Sequence, residues 1–191
     1  MKSTLSVLLL TALLGNAVAQ TSAPVPTPDR KPSDGPFQPE MIAPGGILLP
    51  LYPPDSPLLK KERLHEAEKY NTATGGKRPI TNVINIHNPT IEVHLATDRS
   101  LNGAAVILAP GGGHKILWVR PEGADYVADM DKLGVTTIVL RYRLRVDGYE
   151  PTTDAVNDAF QAIRIVRAHA KEWNLDPAKI GIVGFSAGAE L

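Results

Sequence analysis

The chain has 191 residues, enough for one domain with a core of its own. Twenty basic residues against twenty acidic ones leave no net charge, which argues against nucleic acid or an anionic membrane surface as a partner. The absence of cysteine excludes a disulfide framework, so the fold has to be held by apolar packing.

Residues 1–19 carry the marks of a secretory signal: Lys2, an apolar stretch from Leu5 to Leu14, and Ala17-Val18-Ala19 as a small-x-small cleavage pattern. The stretch is well short of the roughly 20 residues a helix needs to cross a bilayer, so no stable membrane insertion is expected after signal removal, and the predicted location is secreted or periplasmic. Residues 20–57 hold eleven of the seventeen prolines and read as a linker, with the more apolar "GGILLPLYPP" expected as an irregular arm against the domain. The packed domain is expected over residues 58–191. Its first segment, "LKKERLHEAEKY", reads as a solvated surface stretch.

From Thr81 the pattern changes. "TNVINIH" and "TIEVHLA" alternate apolar and polar residues around Asn88-Pro89, which predicts two strands paired as an antiparallel hairpin. "AAVILAP" is a continuous apolar run, as in a strand covered on both faces. Pro121 to Leu133 has helical spacing that stops at Gly134. "VTTIVLRYRL" is the next strand. A long helix follows Thr152-Thr153-Asp154, with Val156, Ala159, Phe160, Ile163, Val166, Ala170 and Trp173 as its apolar stripe. "DPAKIGIVGFSAG" then predicts a proline turn and a short strand from Lys179 to Val183. The whole describes an α/β fold: a mostly parallel sheet with an N-terminal antiparallel hairpin.

That last strand runs into Gly184-Phe185-Ser186-Ala187-Gly188, a GxSxG pattern. A serine hydroxyl is a weak nucleophile that has to stand clear of its neighbours, and a sharp strand-to-helix turn beneath it achieves this where flanking glycines remove the colliding side chains. Such a turn works with peptide N–H groups from the loop after an earlier strand, which stabilise the oxyanion of acyl transfer. Gly111-Gly112-Gly113 follows "AAVILAP" in the required loop. The expected donors are the amides of Ala187, Gly112 and Gly113, each supplying about 2.7 to 4 kcal/mol of transition-state stabilisation. Phosphate and dinucleotide readings of the same glycines fail on spacing, because Ile116 stands where a third fingerprint glycine belongs and no Gly-Lys-Ser/Thr follows.

The stretches "VILAPGGGH", "EGADYVADMDKLGV", "VLRYRL" and "DAFQAIRIVRAHAKEWNLDPAKIGIVGFSAGAE" resemble the secreted esterase branch of the α/β-hydrolases, the BD-FAE-like group of feruloyl-esterase-like and acetyl-xylan-esterase-like proteins. The resemblance covers about residues 100 to 191. It implies the α/β-hydrolase fold, Ser186 as nucleophile and the glycine loop as oxyanion hole. His114 stands where the family usually has a small aromatic, and Ala189 where a further glycine is usual. His114 borders the loop and is expected to line the substrate pocket, whereas His65, His87, His94 and His169 fall where solvated or structural roles are expected.

In this fold the triad acid and base follow the serine in sequence, and only five residues follow Ser186. The chain therefore reads as the N-terminal portion of a C-terminally truncated α/β-hydrolase fold, inactive as it stands. No His, Asp or Glu cluster has metal-ligand spacing, and neither metal nor organic cofactor is expected. The expected function is hydrolysis of carboxylic esters by a secreted serine enzyme, with an acylated carbohydrate such as acetylated or feruloylated xylan, or a small ester, as substrate. A serine peptidase on the same fold and a non-catalytic hydrolase-fold binding protein are the alternatives.

Overall fold

The computed structural model describes residues 35–73, 79–98 and 102–191; the segment expected as an export signal and the first part of the proline-rich stretch lie outside them. Seven strands and two α-helices are present among the described residues. In chain order they are β1 (Ile47–Pro50), β2 (Lys69–Thr72), β3 (Ile80–Ile84), β4 (Thr90–His94), β5 (Ala105–Ala109), α1 (Val127–Lys132), β6 (Thr136–Arg141), α2 (Val156–Ala168) and β7 (Ile180–Gly184). Five form one sheet in the order β1-β4-β6-β5-β7, and β2 pairs with β3 in a small separate ribbon.

β5 lies between β6 and β7 and is parallel to both, while β4 runs antiparallel to β6 and β1 antiparallel to β4. The apolar run of β5 is buried at Ala105, Ile107, Leu108 and Ala109, as a strand covered on both faces has to be. α1 is shorter than its sequence pattern, being preceded by a 3-10 turn over Ala124–Tyr126. It stops where expected: Gly134 takes φ 68°, its N–H donates to Asp131 O, and Val135 N–H reaches back to Met130 O. That double bond is the left-handed glycine stop of a helix C-terminus. α2 begins in a π-helical turn over Pro151–Ala155 and buries Ala155, Ala159, Ala162 and Val166. Phe160, expected on that stripe, is exposed, because one residue turns the chain about 100° beyond Ala159. Asp158 is buried in its place and meets Arg143.

The N-terminal antiparallel pairing differs from the expected hairpin. β3 and β4 do not pair with each other: β3 is bonded to β2 and bridges Leu117, and β4 is occupied on both edges by β1 and β6. The five-residue link between them, with Asn85 at φ 64°, is too long for a tight turn and carries the chain from one sheet to the other. The stretch expected as an irregular arm supplies β1.

Alternation in "TIEVH" predicts one wet face, yet all five residues of β4 are buried. The arm covers that face. Glu92 accepts the N–H groups of Ile42 and Ala43 at 2.8 and 2.9 Å, and Arg141 bonds it at 2.9 Å. Arg141 also bonds Glu68 at 3.0 Å, which draws the segment expected to be solvated into the interior. Arg141 thus pairs with two buried acids, Glu68 and Glu92, and Arg143 with buried Asp158 and half-buried Asp154.

His87 is buried in the β3–β4 link, its Nδ1 2.9 Å from the Tyr149 hydroxyl and its Nε2 3.1 Å from Asn85 Oδ1. Burial depresses its pKa to about 4, helped by the Arg63 and Lys60 cations and opposed by Glu66. A depressed histidine keeps its stabilising contribution above the unfolded value near 6.5 and loses it as pH falls through the window down to about 4. At 1.36 kcal/mol per unit this amounts to about 3 kcal/mol. His87→Gln is expected to remove that component, so that denaturant curves for the two proteins diverge at pH 7 and converge toward pH 4. Parallel curves would contradict it.

Candidate active site

β5 and β7 end side by side, with Ala109 opposite Gly184, and the Phe185 N–H extends the ladder to Ala109 O at 3.0 Å. The chain then turns. Phe185 is still extended, Ser186 takes φ 48°, and Ser186–Glu190 forms a short 3-10 helix. Left-handed backbone at a residue with a Cβ costs about 1 to 2 kcal/mol, and such strain persists where surrounding contacts fix it. Here they do. A Cβ on Gly184 would collide with Gly188 O, and one on Gly188 with Ala109 O, so the two flanking glycines let the helix press onto the strand ends. Ser186 is left exposed at the C-terminal edge of two parallel strands, the edge where open α/β sheets bind ligands.

The glycine loop lies against this turn. A Cβ built on Gly111 would be 3.0 Å from Ser186 Cβ, so the loop backbone touches the serine. Its carbonyls up to Gly112 are engaged on the side away from the serine. Pro110 O accepts the buried Tyr142 hydroxyl at 2.6 Å, Gly111 O accepts Trp118 N–H at 3.1 Å, and Gly112 O accepts the N–H groups of Lys115 and Ile116 at 3.1 and 3.3 Å. Burial, followed by the nearby Glu122 and Glu190 carboxylates, raises the Tyr142 pKa, so its hydroxyl keeps the proton it donates. In a trans peptide the N–H points opposite to the carbonyl. Anchoring the carbonyls of Gly111 and Gly112 therefore turns the amides of Gly112 and Gly113 outward, and neither has a protein acceptor among the described residues. Gly112 has φ 133° and a Cβ there would strike Ile116 O, while Gly113 has φ 62° beside open space. The Ala187 amide lies in the first turn of the 3-10 helix, where N–H groups lack intrahelical partners.

The structure thus brings Ser186, Ala187 and the glycine loop together. His114 is placed differently from expectation. It is only 4% exposed, takes φ 56°, and its Nε2 lies 3.1 Å from Glu190 Oε2, with its ring edge-on to Tyr142. It sits beneath the loop and ties it to the helix after the serine. His87, His94 and His169 are engaged with Tyr149, Glu92 and Glu172, and His65 is exposed. Two contributors escaped sequence reasoning. Glu122 accepts the Gly111 N–H at 2.6 Å, and Tyr142, which lies between two arginines in the sequence, donates its hydroxyl to Pro110 O at 2.6 Å. The Glu122-Gly123 pair was the available signal.

A cleft of about 380 Å³ lined by Pro44, Gly45, His94, Thr97, Val127 and Asp131 opens at the opposite edge of the sheet, since His94 pairs with Thr137 at the start of β6. Among the described residues no group of three or more His, Asp or Glu side chains could hold a metal ion, and no helix is long and apolar enough to cross a membrane.

Residues 91–191 match the BD-FAE family model. The chain belongs to the BD-FAE family. An acetylxylan esterase of Xylanibacter ruminicola is 40% identical over 90 residues, covering 47% of this chain and 18% of that protein. Endo-1,4-beta-xylanase B of Butyrivibrio fibrisolvens is 27% identical over 104 residues, 54% of this chain and 16% of that one. Among solved structures, the acetyl ester-xyloside bifunctional hydrolase of Caldicellulosiruptor lactoaceticus superposes with TM-score 0.55 and 26% identity over 78% of this chain and 46% of its own. The apo form of Thermogutta terrifontis esterase 2 gives TM-score 0.51 at 23% identity, over 78% of this chain and 44% of its own. The fold is that of the α/β-hydrolase esterases, and this BD-FAE chain spans under half the length of those structures and under a fifth of those curated relatives.

Proposed function

We propose that this BD-FAE chain carries the nucleophile and oxyanion hole of a secreted serine carboxylic-ester hydrolase that removes acetyl groups from xylan-type polysaccharide. The observation that carries the reading is Ser186 held at φ 48° in contact with a loop whose Gly112 and Gly113 amides have no protein acceptor among the described residues. A binding surface has no need of a strained serine facing unpaired donors, whereas acyl transfer needs both. The acyl group and the sugar are suggested by the names of the acetylxylan esterase and acetyl ester-xyloside hydrolase to which the chain is similar. The export signal in residues 1–19 suits a substrate too large to enter a cell.

Ser186 Oγ attacks the ester carbonyl and its proton passes to a histidine base oriented by an acid, the pair that follows the nucleophile in the sequences of this fold. The carbonyl oxygen becomes an oxyanion received by the amides of Gly112, Gly113 and Ala187. As the tetrahedral intermediate collapses, the ester C–O bond breaks and the sugar hydroxyl leaves with the proton. Water then cleaves the acyl-serine, releasing acetate and restoring the hydroxyl.

A substrate panel on the full-length gene product tests the assignment. Acetylated xylan and p-nitrophenyl acetate are expected to be hydrolysed, with ferulate release from feruloylated arabinan slower and peptide substrates untouched. Peptide cleavage without acyl release would replace the esterase by a peptidase. Binding of xylan without release of any acyl group would favour a non-catalytic protein.

A further inference from the structure

Three hydrogen bonds close a ring around the glycine loop. The Gly111 N–H donates to Glu122 Oε2 at 2.6 Å, the Glu122 N–H donates to Trp118 O at 3.1 Å, and the Trp118 N–H returns to Gly111 O at 3.1 Å. Gly111 is therefore held on both its amide and its carbonyl side, and by the same short segment. It is also confined laterally, because a Cβ at this position would lie 3.2 Å from Glu122 Oε2 and 3.0 Å from Ser186 Cβ. The carboxylate presses the loop from one side and the serine turn from the other. Gly123 completes the arrangement: a Cβ there would collide with Val119 O and come within 2.8 Å of Val139 Cγ1, so only glycine lets the segment carrying Glu122 run this close to β6.

We infer that Glu122 is a positioning residue for acyl transfer: its carboxylate fixes the Pro110–Gly111 peptide and its N–H holds Trp118, whose own N–H fixes the adjoining Gly111–Gly112 peptide that aims the Gly112 amide at the oxyanion. A bond from an N–H to an ionised carboxylate is about twice as strong as a neutral one, which suits a loop of three glycines that cannot hold its own conformation. The arrangement has a second consequence. Glu122 occupies the Gly111 amide, so of the three loop glycines only Gly112 and Gly113 donate to the oxyanion. The role is indirect, since Glu122 touches backbone and not substrate, and the inference rests on the serine-esterase reading of Ser186.

The experiment compares wild type, E122Q and E122A of the full-length gene product. Each is first treated with a fluorophosphonate probe and the labelled residue mapped by mass spectrometry. Then kcat and KM for p-nitrophenyl acetate, inhibition by phenylboronic acid as a tetrahedral analogue, and the melting temperature are measured. E122A is expected to lose about 10- to 100-fold in kcat with KM nearly unchanged, since a misplacement near 1 Å acts on the transition state and not on ground-state binding. Boronate affinity falls in parallel. E122Q, which keeps an acceptor oxygen in place, retains kcat within about threefold. If E122A melts far below wild type, E122D, which withdraws the oxygen by one carbon, is expected to show the same split at an unchanged melting temperature. Wild-type kcat in a folded E122A or E122D, equal losses in E122Q and E122A, or a loss confined to KM would overturn the inference and leave Ser186 as nucleophile. A wild-type enzyme that is not labelled at Ser186 would refute the serine-esterase reading itself.

Discussion

Ser186→Ala is expected to lower kcat/KM for acetyl esters by about 10⁴- to 10⁶-fold in the full-length gene product, with the melting temperature nearly unchanged. At 1.36 kcal/mol per decade this is about 5 to 8 kcal/mol of lost transition-state stabilisation. The size follows from covalent chemistry: without the hydroxyl no acyl-enzyme forms, and the remaining amides can only assist water. Fold stability is expected to be indifferent because the side chain is exposed and the turn is held by Gly184 and Gly188. Alanine keeps the Cβ, so the strain of φ 48° persists in the variant. A residual rate within tenfold of wild type would show that the hydroxyl is not the nucleophile.

The second large effect falls on stability. Arg143 is 1% exposed, and Asp158 receives its Nε at 2.9 Å, its Nη2 at 2.8 Å and its backbone N–H at 3.0 Å. Asp158→Ala leaves that guanidinium with the Leu58 and Asp154 carbonyls, the half-buried Asp154 carboxylate and the Tyr52 and Tyr149 rings it lies over. Removing one partner of a buried pair costs about 3 to 5 kcal/mol, because the other charge stays desolvated. For a domain of this size that corresponds to a melting temperature lower by roughly 6 to 20 °C. Combining Asp158→Leu with Arg143→Met is expected to recover part of the loss, since neither charge then remains. Differential scanning calorimetry checks both; a fall of less than about 2 °C for Asp158→Ala would mean the pair contributes little. The pair also bears on the site, because Arg143 adjoins Tyr142, whose hydroxyl braces Pro110.

Much of this was legible in the sequence, and the division has a physical cause. The Ala105–Ala109 and Ile180–Gly184 strands, the glycine stop of α1 and the turn at Ser186 are written in short windows, because apolar runs, φ > 0 positions and close approaches impose local residue choices. The partners that meet across the fold leave no such mark. Arg141 and Glu68 are 73 residues apart, and Arg143 and Asp158 are 15 apart on different elements. A charged residue bound for a buried pair looks, in sequence, like one bound for water, which is why Glu68 and Glu92 read as surface. The β3–β4 hairpin failed similarly: alternation gives strands, but pairing depends on which edge is already taken. Glu122 stands beside a glycine, Gly123, in the sequence, yet only the 2.6 Å bond to Gly111 gives it a task.

The most direct measurement is a crystal structure of the full-length gene product after reaction with a small organophosphate. The account predicts a covalent Ser186 Oγ–P bond with the phosphoryl oxygen about 3 Å from the amides of Gly112, Gly113 and Ala187. An adduct on another residue, or a phosphoryl oxygen directed away from all three amides, would contradict it.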